Sequence, residues 1–466
     1  RAKLAADAWC AAFVWPKVPG VPAVTHDLFV RLSRAEESVP QPLRDEIERL
    51  AEQYRFLHWH LAFPEVLTTT AGAGAGLDGG PGWSGGFDAV LGNPPWERIK
   101  LQEQEFFATR HPEIAQAQNA GARHRMIKEL EESDPALYAA YMEALRRAEG
   151  ESHLVRNSGR YPLCGRGDVN TYAVFAETKR TLIGRRGRVG TIVPSGIATD
   201  DTTKFFFQDL VESEGLVSLY SFENEEFIFP AVHHATKFCL LTLSGASIQC
   251  PSAQFVFFAR QPVHLADRDR RFTLTAKDLA LHNPNTHTCA VFRTRRDAEI
   301  TRGINLRVPV LVRDGPPEEN SWGLVIRRVF DMNRHDVLAL CLDARDSSEP
   351  GMVRICEAKM FHQFDHRFGT YEGQTDSQSN QGKLPEATTA QHADPRYVTK
   401  SRLLVPQAEV DARLGGLWNR QWLLCWRDIT SAVTSRTMIA AILPRVGTDF
   451  TVRVGFPACA SPGEAC

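Results

Sequence analysis

Residues 87–96 constrain the fold more than any other stretch of the chain. Phe87-Asp88-Ala89-Val90-Leu91-Gly92 is a short apolar run suited to a buried parallel strand. It stops at Asn93-Pro94-Pro95-Trp96, where two prolines forbid both a helix and continued ladder pairing. A second run, Val189-Gly190-Thr191-Ile192-Val193-Pro194, ends the same way. Before it, residues 171–184 have the spacing of an amphipathic helix, and Arg185-Arg186-Gly187-Arg188 reads as a turn. A helix around 202–213 and strands near 216–222 and 236–243 continue a β-α-β run. Helices alternating with short apolar strands predict a doubly wound sheet. Ligands of such sheets bind beyond the carboxyl ends of the strands, which is where Asn93 and Pro194 fall.

The rest of the chain divides around that core. Leu43, Ile47, Leu50, Tyr54 and Leu57 recur at three- and four-residue spacings, so residues 1 to about 60 read as helical. Residues 71–86 are glycine-rich and read as a surface loop. Residues 1–86 are therefore a lead-in, 87–250 a catalytic region with a helical insertion at about 101–160, and 251–466 a separate module. That module is richer in Arg, Trp and Pro, with a polar stretch over 372–395 that reads as a mobile loop. The chain opens on Arg1 and is read as a piece of a longer polypeptide.

Composition excludes several classes. At 466 residues the chain supports two or three domains. No apolar run approaches the ~18–20 residues of a membrane span. The ten cysteines are scattered without a C-x-x-C pair, which argues against a zinc ribbon or a disulfide scaffold. With a net charge of -2, a nucleic-acid partner needs a local positive face. His362 and His366 with Asp365 lack a matched further ligand, so no metal is expected.

Asn93-Pro94-Pro95-Trp96 suits one kind of chemistry. The lone pair of an aromatic amine is delocalised into its ring, which makes the nitrogen a poor nucleophile. Two acceptors aimed at its N–H groups favour a more tetrahedral nitrogen. Asn93 offers a side-chain carbonyl oxygen, and Pro94 a main-chain carbonyl held by the restricted geometry of Pro95. Trp96 offers a flat face for an extruded base, a contact worth roughly 1–3 kcal/mol in comparable sites. Neither a metal nor a strong base is required.

The stretch Phe87–Trp96 resembles the catalytic strand and loop of amino-group DNA methyltransferases, in particular the Eco57I-like restriction-modification adenine methylases. So do Phe63-Pro64-Glu65-Val66, Arg188–Pro194, Asn283-Pro284-Asn285-Thr286, Lys359–Phe368, Trp426-Arg427-Asp428-Ile429 and Ala440–Pro444, in family order from about 55 to 445. The resemblance implies a partial Rossmann-like class I methyltransferase sheet, its catalytic half, followed by an α+β target-recognition domain. It implies methyl transfer from S-adenosylmethionine to the N6 amine of a flipped adenine, double-stranded DNA and other restriction or defence subunits as partners, and a bacterial cytoplasmic setting. By residue, Asn93 and Pro94 would hold the amine, Pro95 would fix the loop, Trp96 would stack on the base, and Phe229-Pro230 would supply the other face. Plain core packing of Phe229 beside Phe227 is the competing reading. Pro194 and Ser195 face the same expected cleft.

The family's cofactor turn is missing from the chain. Gly72-Ala73-Gly74-Ala75-Gly76 follows no strand and opens no helix, so it reads as a linker. The cofactor-binding half is expected upstream of Arg1, and the chain alone is expected to bind S-adenosylmethionine poorly. In the second module, Arg293, Arg295, Arg296, Arg327, Arg328, His366 and Arg367 are the candidate DNA contacts, with His362, His366 and Arg367 interleaved among Phe361, Phe364 and Phe368. Two other classes remain open: a non-catalytic DNA-binding scaffold that keeps the fold, and a methyltransferase acting on protein glutamine or RNA guanine. Cytosine-N4 methylation is a smaller variant.

Overall fold

The computed structural model describes residues 1–16, 22–69, 82–332, 334–344, 350–431 and 436–458. It divides into two compact units, Arg1–Pro309 and Val310–Cys466. Most of the glycine-rich stretch, Gly72–Gly76 included, lies outside the described residues.

The first unit opens with helices α1 (Ala2–Val14), α2 (His26–Arg34), α3 (Gln41–Tyr54) and α4 (Trp59–Ala62). Leu4, Ala8, Ala11 and Val14 line one face of α1 and pack with Leu43, Ile47 and Leu50 of α3. A two-residue ladder joins β1 (Leu67–Thr68) to β2 (Ser84–Gly85), and β3 (Phe87–Gly92) follows. The expected helical insertion is α5 (Glu103–Ala108), α6 (Pro112–Ala115), α7 (Ala120–Ser133) and α8 (Pro135–Asn157), with a small core of its own around Phe107 and Tyr141. The chain returns to the sheet through α9 (Thr171–Leu182), β4 (Ile183–Pro194), α10 (Gly196–Thr199), α11 (Lys204–Glu212), β5 (Leu216–Glu223), β6 (Lys237–Ser244), β7 (Ser252–Ala259), β8 (Phe272–Thr275), α12 (Ala276–His282) and α13 (Arg295–Arg307).

The six strands lie in the order β3-β4-β6-β5-β7-β8. The pairs β3/β4 and β5/β7 are parallel, while β4/β6, β5/β6 and β7/β8 are antiparallel. The sheet is thus mixed, where alternation alone predicted a doubly wound arrangement. No helix of eight or more residues separates β5 from β6, so the chain turns back as an antiparallel neighbour instead of crossing over. Its core holds Val189, Val193, Phe206, Leu210, Leu219, Leu241 and Phe255, each side chain contributing about 1.5–3 kcal/mol of burial.

Two expectations are corrected. Arg185–Arg188 is part of β4 and not a turn. A Cβ at Gly187 would stand 2.5 Å from the Phe87 carbonyl oxygen, so glycine there lets the two strands close up around an irregular register between Phe87 and Ala89. The boundary expected near 250 falls inside the sheet, because β7 and β8 belong to it and the first unit runs to Pro309.

β3 has a strand partner on one side only among the described residues. Leu91 is 81% exposed, and Asp88, Ala89 and Gly92 are exposed as well.

The second unit holds two four-stranded sheets. In the first, β10 (Leu342–Asp343), β12 (Leu403–Pro406), β11 (Met352–Cys356) and β15 (Gly447–Thr448) are neighbours in that order. In the other the order is β14 (Ala440–Pro444), β13 (Trp422–Arg427), β16 (Val452–Phe456) and β9 (Val325–Arg327). Val405, Leu423, Cys425, Leu443 and Val454 meet in one core. The polar stretch 372–395 carries two short capped helices, Asp376–Asn380 and Thr389–Ala393. No helix among the described residues is long and apolar enough to cross a membrane, and the eight described cysteines are all free.

Candidate functional site

β3 and β4 run parallel with Gly92 beside Thr191, so Asn93 and Pro194 leave the sheet on the same side. Lys179 of α9 is 8% exposed, and its ammonium donates to the Gly92 carbonyl (3.0 Å) and to the Thr191 hydroxyl (2.7 Å). The Thr191 hydroxyl donates to the same carbonyl at 2.9 Å. Burial pulls the Lys179 ammonium below its usual range.

The far end of the loop is held from the same helix. Thr171, just after the Asn170 cap, donates its hydroxyl to the Pro95 carbonyl (2.7 Å) and accepts from the Glu97 N–H (3.0 Å). Its own N–H donates to the Glu97 carbonyl at 2.8 Å. The helix is fixed in turn through Glu177, whose buried carboxylate accepts from the N–H groups of Leu163 (3.1 Å) and Cys164 (2.8 Å). Desolvation raises the Glu177 carboxyl above its usual range. Lys179 and Thr171 were not singled out from sequence. Lone polar residues in an amphipathic helix leave no local signal.

Between these anchors Asn93 and Pro95 are exposed, Pro94 is buried and Trp96 is half-buried. The Asn93 carboxamide takes part in no hydrogen bond with a described residue. Trp96 packs on the sheet core and on the cluster around Phe222, Phe238 and Val256, and its indole N–H is buried without a partner. It also borders a cleft of about 800 Å³ beside Arg98, Lys100 and Arg147.

Phe229 packs against the same cluster as Trp96. It meets Phe238 edge to face (centroids 5.0 Å, 66°), so Phe229 does pack on a core cluster, while Phe227 is exposed and is not part of it. Asn224, fully buried, organises the loop that carries Phe229 and exposed Pro230. Its amide N–H donates to the Phe229 (3.0 Å) and Val232 (2.9 Å) carbonyls, and its oxygen accepts from the Phe229 N–H (3.0 Å). The Ser195 hydroxyl pairs with that of Ser221 at 2.8 Å.

The candidate DNA contacts are divided between the units. In the first, the Arg293 guanidinium sits 4.4 Å from the Phe258 ring centroid, Arg295 donates to the Arg268 (3.3 Å) and Arg271 (3.1 Å) carbonyls, and Arg296 pairs with Glu299 (3.4 Å). In the second, Arg327 is exposed on β9, Arg328 pairs with Asp428 (2.8 Å), and Arg367 donates to the carbonyls of His392 and Asp394 (both 2.8 Å). Burial, then the charges of Arg354 and Arg367, hold His366 below its usual range. The expected aromatic and basic surface at 361–368 is divided: Phe361 is core, Phe364 is 72% exposed, and Phe368 lies against the His362 ring (4.9 Å). Asp365 accepts from the Arg367 N–H (2.8 Å) and lies 3.1 Å from His392 Nε2.

Comparison with known proteins gives partial matches. The modification subunit of a putative type I restriction enzyme from Vibrio vulnificus YJ016 shares 9% identity over 41% of this chain and 34% of that one, at a TM-score of 0.24. The type IIL restriction-modification enzyme MmeI, in complex with DNA, shares 10% over 80% of this chain and 41% of its own, at 0.35. A nuclease-deletion mutant of the type ISP restriction-modification enzyme LlaGI, with a DNA substrate mimic, shares 10% over 94% and 32%, at 0.33. The chain thus spans about a third to two fifths of the length of such structures. No curated protein matches. Residues 25–131, which contain β3 and Asn93–Trp96, match the model of the Eco57I restriction-modification methylase family.

Proposed function

We propose that this chain carries the catalytic loop of a site-specific DNA methyltransferase acting on the N6 amine of a flipped adenine, within a restriction-modification or phage-defence system. The observation that carries this reading is the state of Asn93: an exposed, unengaged carboxamide at the carboxyl end of a strand, on a loop tied down at both ends by α9. The match of residues 25–131 to a methylase family model supports it.

In this mechanism the Asn93 Oδ1 and the Pro94 carbonyl accept from the two N–H groups of the amine and restore lone-pair density on its nitrogen. Pro95 limits the loop's torsional freedom, and Thr171 and Lys179 hold its ends, so the acceptors are oriented before substrate arrives. Half-buried Trp96 stacks on the base, and Phe229-Pro230, on its Asn224-braced loop, stands for the second wall. S-adenosylmethionine would supply the electrophilic methyl group.

The described residues do not by themselves fit that cofactor. Among them no strand runs into a turn of several glycines that opens a helix, and Gly72–Gly76 falls outside them. We infer that the uncovered edge of β3 is where a cofactor-bearing part of the sheet adds on, as exposed edge strands otherwise invite pairing with other chains. Transfer of labelled methyl groups to DNA by the complete polypeptide, with Asn93→Ala as control, tests the reading. Full activity in the variant would overturn it. A second reading, a non-catalytic DNA-binding scaffold, also accords with the lack of such a glycine turn among the described residues. Calorimetric titration of the complete polypeptide with S-adenosylmethionine separates the two, since a scaffold shows no binding.

A further inference from the structure

The second unit contains a cleft of about 1070 Å³, all of whose lining residues lie between Ala344 and Val446. At its floor is Arg354, on β11 opposite Leu404 of β12. The guanidinium donates to the Thr399 carbonyl (3.2 Å) and hydroxyl (2.5 Å), and Thr399 is itself buried. No carboxylate among the described residues pairs with it. A largely desolvated cation costs several kcal/mol unless an anion answers it.

The surroundings add positive charge. Arg367 spends its guanidinium on backbone carbonyls, and Lys400 is exposed and has no ion pair among the described residues. Against these three cations the lining has, among the described residues, one carboxylate, Glu372, already engaged by the Tyr397 hydroxyl (3.1 Å) and the Gln391 amide (3.3 Å). The rest of the lining combines the Tyr397 ring, whose hydroxyl is thus occupied, and the apolar Pro395, Val398, Met352 and Val353 with the polar side chains of His366, Tyr371 and Ser401. A site with charged donors at the floor and an aromatic and apolar wall selects an anion with a flat apolar body.

We propose that this cleft binds a nucleotide unit, its phosphate at Arg354 and Lys400 and its base against Tyr397. The same chemistry is available from a free mononucleotide and from a nucleotide within a DNA strand. The assignment does not depend on the chemistry of Asn93, and no methylation assay enters its test.

The complete chain is titrated calorimetrically with deoxyadenosine 5′-monophosphate and with deoxyadenosine, and by fluorescence polarisation with a labelled 20-base-pair duplex. The same titrations are made on Arg354→Met, which keeps the apolar stem, and on Lys400→Gln. The monophosphate should bind at least tenfold more tightly than the nucleoside, and Arg354→Met should remove about tenfold or more, the value of a charged hydrogen bond. If the monophosphate does not bind but the duplex does, and Arg354→Met weakens the duplex by that factor, the nucleotide comes from a DNA strand. If Arg354→Met fails to fold, as judged by its melting curve, Lys400→Gln decides: a threefold or greater loss supports the site, and unchanged affinity removes it. Equal affinity of nucleoside and nucleotide, unchanged binding of both ligands by a folded Arg354→Met, or no binding of either by the wild type overturns the proposal.

Discussion

β3 and β6 are strands of one sheet with similar apolar composition and opposite surroundings. β6 has a neighbour on each side, and its Leu241 is 1% exposed. β3 has one neighbour among the described residues, and its Leu91 is 81% exposed. An apolar run is the signature of a strand covered on both faces, so β3 carries a side-chain set for an environment that the described residues do not provide. The difference separates what holds the sheet together from what the sheet presents. The interior strands supply the stability, and β3 supplies an edge and a carboxyl end.

The sharpest way to break that contrast is Asn93→Ala. Methyl transfer by the complete polypeptide should fall by about 10²–10³, the size of a lost positioned hydrogen-bonding group at a reacting centre, while the melting temperature stays within about 1 °C. A large drop in melting temperature would put Asn93 with the interior strands instead. Next comes the matched pair Leu241→Ala and Leu91→Ala, compared by urea unfolding. The first should cost about 2–5 kcal/mol and the second less than about 0.5 kcal/mol. Similar costs would erase the distinction.

The second unit gives a smaller effect with a pH signature. Burial raises the Asp449 carboxyl to about 6 from 3.8, despite bonds from the Thr451 N–H (3.0 Å) and hydroxyl (2.5 Å). Its folded-state pKa lies above the unfolded value, so the stability it contributes is fully present below about 4 and is lost as pH rises to about 6. Asp449→Asn should remove that slope, on the order of 3 kcal/mol, from unfolding curves recorded across the window. The mildest test is Thr171→Val, which deletes the hydroxyl between Pro95 and Glu97. It should cost about 1 kcal/mol in stability and reduce kcat more than it raises KM, because it loosens the loop without touching the binding surface.

What was legible in the sequence was local. β3, the end of β4, β5 and β6 announce themselves as apolar runs closed by proline or polar residues, and α9 by its spacing. Asn93–Trp96 stands out for the same reason. Interactions between distant segments were not legible. Arg185–Arg188 looks like a turn until Gly187 is placed against the Phe87 carbonyl. The chain past 250 looks like a new module by composition, yet β7 pairs in parallel with β5. Lys179, Asn224 and Arg354 matter through partners 87, 5 and 45 residues away, and nothing in their immediate neighbours marks them.

Thr171 and Lys179 stand about 12 Å apart along a single stiff rod, at 1.5 Å per residue. Residues 93–97 are hydrogen-bonded at both ends to that one helix, so the two ends keep a fixed separation for as long as the rod stays straight. A displacement of the rod therefore carries Gly92 and Pro95 with it as a pair.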